Sequence, residues 1–375
     1  MSVNSCKEKW CSVGCLIETF DRRNVYGLDY PFFGINKDKT FMPTVADTNN
    51  LDNTKYKIVE KGDFVFSGMQ TGRDVCIRIA LYDKEEPILL SPAYTTFRIK
   101  DENKILPQYL FIQFNRFEMD RYGWFLSDGS IRSNLDWDRF CDIEIPLPSI
   151  EIQEELVATY NGLKSLAEQN EALIEPLSKV CEAFIVNCMK KYNSVKLYDY
   201  IELCDERNKN NIYNDKNLKG VTNEGIFEDS RANIMGLNFS NYKIVRKGEF
   251  TYNPSRINLG SIALNNDKNY IVSPMYCNFR IKRNKINILL PEFLNIWFRR
   301  KEFQRSTLFY ATGSVRDTFD FELMCNVMIP LPPQEVQKAI INIYQCLEEA
   351  KRIALEAREK LKTICPALVQ RANNK

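Results

Sequence analysis

The feature of this chain that most restricts its fold is an internal repeat with a period of about 184 residues. Pro-Leu-Pro at 146–148 recurs at 330–332, and Gly-Ser-Ile-Arg at 129–132 recurs as Gly-Ser-Val-Arg at 313–316. Other matching segments are separated by 182 or 186 residues, as small insertions and deletions in duplicated domains would leave. Because the matches keep their order, the sequence predicts one architectural unit present twice.

Each copy divides into a globular part and a helical part. The globular parts contain short stretches rich in β-branched and aromatic residues, such as 64–66 and 96–99, which predict strands. Helices are predicted over 109–115 and 292–303, because each segment follows a proline at a helix start. Lys-Gly-Asp at 61–63 and Lys-Gly-Glu at 247–249 predict turns that lead into strands. We therefore predict an α+β fold with four segments, which are residues 1–149, 150–192, 193–333 and 334–375.

The helical parts carry apolar or small residues at alternating steps of four and three, which is the heptad pattern of a coiled coil. The first seam is Leu156, Tyr160, Leu163, Ala167, Asn170, Ile174, Leu177, Cys181, Phe184 and Cys188. The second is Ile340, Tyr344, Leu347, Ala350, Ala354, Ala357, Leu361, Ile364 and Leu368, in which one consecutive pair of three-residue steps forms a local stammer. We predict two long antiparallel helices of roughly 55 Å that separate the two domains in a pseudo-two-fold arrangement. Kinks are expected at Pro176 and Pro366.

The composition excludes several classes of function. The chain has no histidine, which removes the Ser-His-Asp and Cys-His nucleophile systems and the commonest transition-metal ligand. Twelve cysteines occur without a C-x-x-C pair, which favours free thiols over a metal site. The net charge of +2 argues against a non-specific polycation. Neither a membrane-spanning run nor a signal peptide is evident at the sequence level, so we expect a cytoplasmic protein.

A longer motif surrounds each Pro-Leu-Pro segment. Residues 145–153 read Ile-Pro-Leu-Pro-Ser-Ile-Glu-Ile-Gln, and residues 329–337 read Ile-Pro-Leu-Pro-Pro-Gln-Glu-Val-Gln, each leading into a long helix. The motif resembles the junction between a target recognition domain and a spacer helix in specificity subunits (S subunits) of type I restriction-modification systems. The segment at 253–263 also resembles a stretch common in such domains. The first junction departs from the family pattern at Ser149 and Ile150, where a second proline and an apolar residue are usual.

The resemblance implies a non-catalytic DNA-recognition subunit with target recognition domains at 1–149 and 193–333. Each domain would recognise one half of a split site in double-stranded DNA. The spacer helices at 150–192 and 334–375 would set the gap between the halves and dock two modification (methyltransferase) subunits, with restriction subunits joining the complex. This chain would bind no cofactor, and S-adenosylmethionine and ATP with Mg²⁺ would be held by the partner subunits.

Two alternatives come from other classes of function. The first is a self-contained DNA-modifying enzyme, a nuclease or methyltransferase, with an unrecognised active site. Its nearest motif is Asn-Pro-Ser-Arg at 253–256, which lacks the second proline and the aromatic residue of amino-methyltransferases. The sequence also lacks a G-x-G-x-x-G after a strand and a G-x-x-x-x-G-K-[ST]. The second alternative is a structural scaffold whose domains bind other proteins.

Candidate DNA contacts are polar side chains on predicted loops. Arg and Lys recognise guanine, Asn and Gln recognise adenine, and many more contacts go to phosphate. Residues that recognise different bases should differ between the copies, as 69–73 and 254–258 do, whereas the shared Gly-Ser-x-Arg segments suit phosphate contact. The shared Arg-Asn clusters suit phosphate or a partner subunit, and an ordinary solvated loop is the alternative for every candidate. The candidates are Arg22, Arg23, Gln70, Thr71, Arg73, Ser130, Arg132, Arg207, Asn208, Ser255, Arg256, Asn258, Ser314 and Arg316.

Overall fold

The computed structural model describes two compact units, one formed by Met1–Asn170 with Ile353–Lys375 and the other by Glu171–Arg352. Within them the described residues are 10–372, without 45–50, 70, 130–132, 231–235 and 312–317. For Gly72, Arg73 and residues 362–372 the backbone alone is described. Within this described part, no helix is long and apolar enough to cross a membrane.

The described residues of the first unit form ten strands arranged in three sheets. The strands are β1 (Trp10–Ser12), β2 (Ile17–Phe20), β3 (Phe32–Ile35), β4 (Phe41–Pro43), β5 (Lys57–Val59), β6 (Phe64–Ser67), β7 (Arg78–Leu81), β8 (Ile88–Leu90), β9 (Thr95–Ile99) and β10 (Glu144–Pro146). Two four-stranded sheets have the orders β2-β9-β6-β7 and β4-β3-β8-β5, and β1 pairs with β10. All these pairs are antiparallel except β3 with β8.

Five short helices and one long helix complete this part of the chain. They are α1 (Val13–Leu16), α2 (Thr71–Asp74), α3 (Pro107–Phe114), α4 (Phe117–Leu126), α5 (Trp137–Cys141) and α6 (Ile150–Lys191). The proline at the first position of α3 costs no hydrogen bond there, because that amide has no partner within a helix. The core lies between the first sheet and these helices, where the rings of Phe64 and Phe97 stack 4.9 Å apart.

The second unit repeats the β2-β9-β6-β7 sheet and the β1–β10 pair, whereas its other four strands form two separate two-stranded sheets. Its strands are β11 (Ser194–Lys196), β12 (Ile201–Cys204), β13 (Lys219–Val221), β14 (Phe227–Asp229), β15 (Lys243–Val245), β16 (Phe250–Tyr252), β17 (Ile262–Leu264), β18 (Tyr270–Val272), β19 (Cys277–Ile281) and β20 (Met328–Pro330). The order β12-β19-β16-β17 reproduces β2-β9-β6-β7, and β11 pairs with β20 as β1 pairs with β10. Phe250 and Phe279 stack at the same 4.9 Å. The predicted duplication is therefore present in the topology as well as in the sequence.

The helices of the second unit correct one prediction. They are α7 (Pro291–Phe298), α8 (Lys301–Tyr310), α9 (Phe321–Cys325) and α10 (Gln334–Ala372). The single helix predicted over 292–303 is wrong, since Arg300 has extended backbone angles and separates α7 from α8. The side chain of Arg299 turns away at this break to donate to two carbonyl groups, those of Gly260 and Ile262.

The predicted turns and seams are confirmed where the side chains are described. Gly62 and Gly248 have φ angles of +91° and +85°, which favour glycine, and each precedes a strand. Every seam residue of α6 is buried or partly buried, and so is every seam residue of α10 up to Leu361. Both helices continue through their prolines, so neither Pro176 nor Pro366 ends its helix. Ile364 and Leu368 belong to the residues of which only the backbone is described.

Within the second unit the two long helices run antiparallel. Ile185 and Cys188 of α6 join the same buried cluster as Ile340 and Ile341 of α10. Cys181, about two turns earlier in α6, is close enough to Lys351 for its pKa to respond to that charge. As α6 advances, the α10 residues beside it therefore go backwards along the chain.

A buried glutamine fixes each long helix to the domain that precedes it. Gln153 accepts a hydrogen bond from the Leu106 amide (2.9 Å) and donates to the carbonyls of Lys104 and Pro148 (2.9 Å each). Gln337 makes the matching three bonds with the amide of Leu290 and the carbonyls of Ile288 and Pro332 (2.9, 2.8 and 2.9 Å). We call these two residues the junction glutamines. They are the last residues of the repeated motif, and their burial explains why an amide is needed there.

Candidate nucleic-acid interface

In each unit the structure bonds a loop predicted to contact DNA to the chain that follows the Gly-Ser-x-Arg segment. We call residues 68–77 loop 1 and residues 254–261 loop 2. In the first unit the Leu135 amide donates to the Gly68 carbonyl (2.9 Å), and in the second the Phe319 amide donates to the Pro254 carbonyl (3.0 Å). These two bonds occupy corresponding positions of the repeat. Each joins a loop that differs between the copies to the chain just after the shared Gly-Ser-x-Arg segment.

Loop 2 is held by a network of main-chain contacts. The Asn253 side chain accepts from the Ser255 amide (3.0 Å), and a short 3-10 helix spans Ile257–Leu259. Gly260 follows with φ +96°, and a Cβ there would lie 2.3 Å from the carbonyl oxygen of Asn223, so only glycine fits. This network orders the loop before any ligand binds, which reduces the entropy lost on binding.

The polar candidates of loop 2 are accessible. Arg256 is exposed, and Ser255 and Asn258 are partly exposed. Ser255 and Asn258 line a cavity of about 270 Å³ together with residues of α8 and the chain after it, namely Thr307, Leu308, Ala311 and Phe319. A guanidinium, an amide and a hydroxyl on one ordered loop offer the donors and acceptors that recognise base edges and phosphate.

Loop 1 is arranged differently from loop 2. Thr71 is 2% exposed, and its hydroxyl donates to the Gly68 carbonyl (2.9 Å), so this side chain closes the loop instead of facing solvent. Val75 has φ +49°, a conformation that strains a β-branched residue by about 1–3 kcal/mol. Such strain concentrates at functional loops. Gln70 lies outside the described residues, and the side chain of Arg73 is likewise not described.

The key residues of the Gly-Ser-x-Arg segments, Ser130, Arg132, Ser314 and Arg316, also lie outside the described residues. Ser133, which follows the first segment directly, has φ +42° and accepts a hydrogen bond from the Thr71 amide (3.0 Å). The described flank of this segment therefore takes part in the structure of loop 1.

The Arg-Asn clusters form structural bonds in both units. The amide group of Asn208, which is 1% exposed, donates to the carbonyls of Tyr213 (2.8 Å) and Phe239 (3.3 Å). Arg207 donates to the Asn241 carbonyl (2.9 Å), and Arg23 donates to the Lys55 carbonyl (2.7 Å). Because these donors are used within the domain, the clusters shape its surface, and the geometry favours this structural role over DNA contact.

Arg22 belongs to an ion pair whose charges are exchanged in the other copy. Its guanidinium lies 2.8 Å from the carboxylate of Glu60, whereas the corresponding residues Glu206 and Arg246 lie 2.7 Å apart with the opposite polarity. The Arg246 guanidinium lowers the pKa of Glu206 by hydrogen bonding. A phosphate contact that both copies share would require a cation at the same position in each. The exchange therefore favours a structural ion pair over a DNA contact for Arg22.

Sequence reasoning missed two features of the domains. The first is the pair of junction glutamines, whose signal was their fixed place in the repeated motif. The second is an exposed apolar segment at the end of α4 and α8, where Phe125 and Phe309 are 80% and 81% exposed. The sequence signal for this segment is a run of three apolar residues that recurs after 184 residues, at 124–126 and 308–310. Each run ends three positions before the glycine of Gly-Ser-x-Arg.

No group of three Cys, Asp or Glu side chains that could hold a metal ion occurs among the residues that the structure describes. The cysteines at buried positions are free thiols, and burial raises the pKa of Cys181 and Cys188. A raised thiol pKa reduces the reactive thiolate, so these cysteines behave as small core residues.

Comparison with known proteins agrees with this architecture. The chain is 20% identical over 346 residues, covering 86% of this chain and 80% of the relative, to the MjaX type I restriction enzyme specificity subunit of Methanocaldococcus jannaschii. Its fold is similar to the crystal structure of the type I restriction-modification system S subunit from M. genitalium, with a TM-score of 0.62 and 12% identity. That match covers 99% of this chain and 98% of the other.

The sequence model of the type I restriction modification DNA specificity domain matches the chain twice, at residues 17–175 and 189–364. The two matches follow the internal repeat, and together they include most of the chain. Each match contains one loop, one Gly-Ser-x-Arg segment and one junction glutamine. The chain therefore belongs to the family of type I restriction-modification DNA specificity proteins.

Proposed function

We propose that each of the two units recognises one half of a bipartite site in double-stranded DNA, and that the chain itself catalyses no reaction. The observation that carries this proposal is the placement of loops 1 and 2. In both units a polar loop that differs between the copies is bonded to the chain beside a Gly-Ser-x-Arg segment that the copies share. Divergent loops suit base recognition, and shared segments suit phosphate contact, which is independent of sequence.

The long helices suit the remaining tasks of such a subunit. Their seams are alike in both copies, and the junction glutamines bond each helix to its preceding domain in the same way. We infer that the helices set the gap between the half-sites and dock two methyltransferase subunits. Those partners would hold S-adenosylmethionine, and restriction subunits would supply ATP- and Mg²⁺-dependent steps. The boundaries 1–149, 150–192, 193–333 and 334–375 remain our division between recognition domains and spacer helices.

Exchange of one recognition domain tests the proposal. The full chain is co-expressed with its methyltransferase partner in a host without other methylation, and methylated motifs are mapped by genome sequencing. Replacing residues 1–149 with the corresponding domain of another family member should change one half of the motif and leave the other half and the gap intact. A change in both halves would contradict separate recognition, and methylation or cleavage by the purified chain alone would contradict a non-catalytic role.

A further inference from the structure

The helices α4 and α8 end in an exposed apolar segment at corresponding positions of the repeat. We call residues 124–126 and 308–310 the apolar tips. Trp124 and Leu308 are both about half exposed, and Phe125 and Phe309 are 80% and 81% exposed. A single exposed apolar residue is ordinary in a soluble domain. Here, however, a phenyl ring is exposed at the same position of both domains, although the neighbouring loops have diverged. The ordinary occurrence of single exposed apolar residues does not explain this match.

The buried face of α4 lies against loop 1, and the buried face of α8 lies against loop 2. In the first unit a Cβ on Gly123 would lie 2.3 Å from Cγ1 of Ile77, which ends loop 1. In the second unit Thr307 is fully buried and lines the cavity beside Ser255 and Asn258 of loop 2. Each apolar tip therefore ends a helix that packs against the candidate DNA-binding loop of its own unit, and in the sequence it stands three residues before the Gly-Ser-x-Arg segment.

An arginine accompanies each phenyl ring. Arg121 and Arg305 are exposed and stand four residues before Phe125 and Phe309. Residues four apart lie on the same face of a helix, so each tip presents a cation and an aromatic ring together. Arginine binds phosphate, whereas an exposed phenyl ring can enter a base step or stack on a base. This combination favours DNA over a purely apolar protein contact.

We propose that Phe125 and Phe309 insert into the DNA base stack beside their half-sites, with Arg121 and Arg305 bound to the adjacent phosphates. The inference rests on the proposed function and adds to it a contact that both half-sites share. Because every base has a π face on which a phenyl ring can stack, the contact strengthens binding with little dependence on sequence. Its conservation between the copies, beside loops that differ, follows from that independence of sequence.

The test uses the full chain assembled with its methyltransferase partner and a duplex carrying its mapped target. Phe125→Ala and Phe309→Ala should each weaken DNA binding on the order of tenfold, in the range measured for base–aromatic stacking, while the recognised motif stays the same. A 2-aminopurine probe beside the half-site should brighten when the unaltered complex binds and stay dim with the variant. Arg121→Ala and Arg305→Ala should each lower the slope of log K against log salt by about one.

Phe117→Ala is the matched control. Phe117 is 65% exposed at the start of α4, and the corresponding residue in the second copy is Lys301, so it belongs to no shared contact. It should leave affinity and probe signal unchanged. Unchanged affinity and probe signal in Phe125→Ala and Phe309→Ala would overturn the inference. Loss of assembly with the methyltransferase subunit, at unchanged DNA affinity of the assembled fraction, would also overturn it and identify the tips as a protein-docking site. Failure of the unaltered complex to bind any specific sequence would instead refute the proposed function.

Discussion

In both units a cation lies between a β-turn and a helix end and supports loop 1 or loop 2. The cation comes from the turn in the first unit and from the helix end in the second. In the first unit Lys39, in the turn between β3 and β4, sends its side chain to the Phe114 carbonyl at the end of α3 and to Asp120 of α4 (2.7 Å to the carboxylate). In the second unit the corresponding turn residue is Gly225, and the cation comes instead from Arg299 at the end of α7.

The exchange leaves a cation in the same place, between the turn and the helix end. A Cβ on Gly225 would lie 2.1 Å from the Arg299 guanidinium, so glycine is required at this position. In the first unit the same position of the turn carries the cation itself, Lys39. Arg299 bonds to loop 2 through the Gly260 carbonyl and to the start of β17 through the Ile262 carbonyl. In the first unit Asp120 reaches loop 1 by accepting from the Ile77 amide (2.9 Å). A cation beside a helix C-terminus is favourable in both. The comparison shows that the units preserve the support of the loop while changing its chemistry.

The largest effect should follow removal of the buried cation of the first unit. Lys39→Ala leaves the Asp120 carboxylate, whose side chain is only 16% exposed, without its partner. Breaking a buried ion pair in this way costs about 3–5 kcal/mol. Hydrogen exchange of the first unit should accelerate accordingly, while that of residues 193–333 stays unchanged. Lys61→Ala, which breaks an exposed ion pair with Glu85, is the control and should change little.

The same variant should depend on pH in a definite direction. Burial raises the pKa of Asp120 above its ordinary value, and loss of Lys39 removes the charge that opposes this rise. A carboxyl with a raised pKa in the folded state binds a proton there more readily than in the unfolded chain, so stability falls as pH rises through that pKa. The stability loss of Lys39→Ala should therefore be smaller at pH 4.5 than at pH 7.5 in denaturant titrations. An equal loss at both pH values would show that Asp120 is not the group left uncompensated.

The two junction glutamines, which the units share, should lose similar amounts of stability when they are replaced. Gln153→Ala and Gln337→Ala each leave one amide and two carbonyls without their buried partner, so each should cost on the order of 1–3 kcal/mol of unfolding free energy. Gln169→Ala removes an exposed glutamine of α6 and serves as the control. A clearly unequal loss of unfolding free energy in the two junction variants, measured by chemical denaturation, would show that the two junctions are not equivalent.

The smallest effect should come from the exchanged surface pair. Arg22→Glu alone brings a carboxylate toward Glu60 and Asp63, whereas Arg22→Glu with Glu60→Arg restores the polarity found at Glu206 and Arg246. The exposed pair with Glu60 contributes about 0–1 kcal/mol. The single variant should lose that share together with the contact to Asp63, whose side chain is 6% exposed, and the double variant should recover most of the Glu60 share. Reduced DNA affinity in the double variant, without loss of stability, would indicate that Arg22 contacts DNA.

The sequence predicted the duplication, the α+β class and the helix seams, because periodic patterns and repeated motifs are local signals. It also selected loops 1 and 2 by their divergence. It could not show that Thr71 and Asn208 are buried, because burial depends on partners distant in the chain, such as Ser133 for Thr71 and Phe239 for Asn208. The break between α7 and α8 was missed for the same reason, since Arg299 satisfies carbonyls about 40 residues away.

We propose that the residues by which the units differ specify the two half-sites. The most direct measurement is the methylated motif produced by the full chain carrying Arg256→Ala with Asn258→Ala, compared with the unaltered chain and with Arg207→Ala. A bipartite motif is expected in which the double variant loses discrimination at one or more positions of one half only, each lost base contact being worth about 1–3 kcal/mol. The Arg207→Ala motif should be unchanged. A double-variant motif identical to the original, or altered in both halves, would contradict the account.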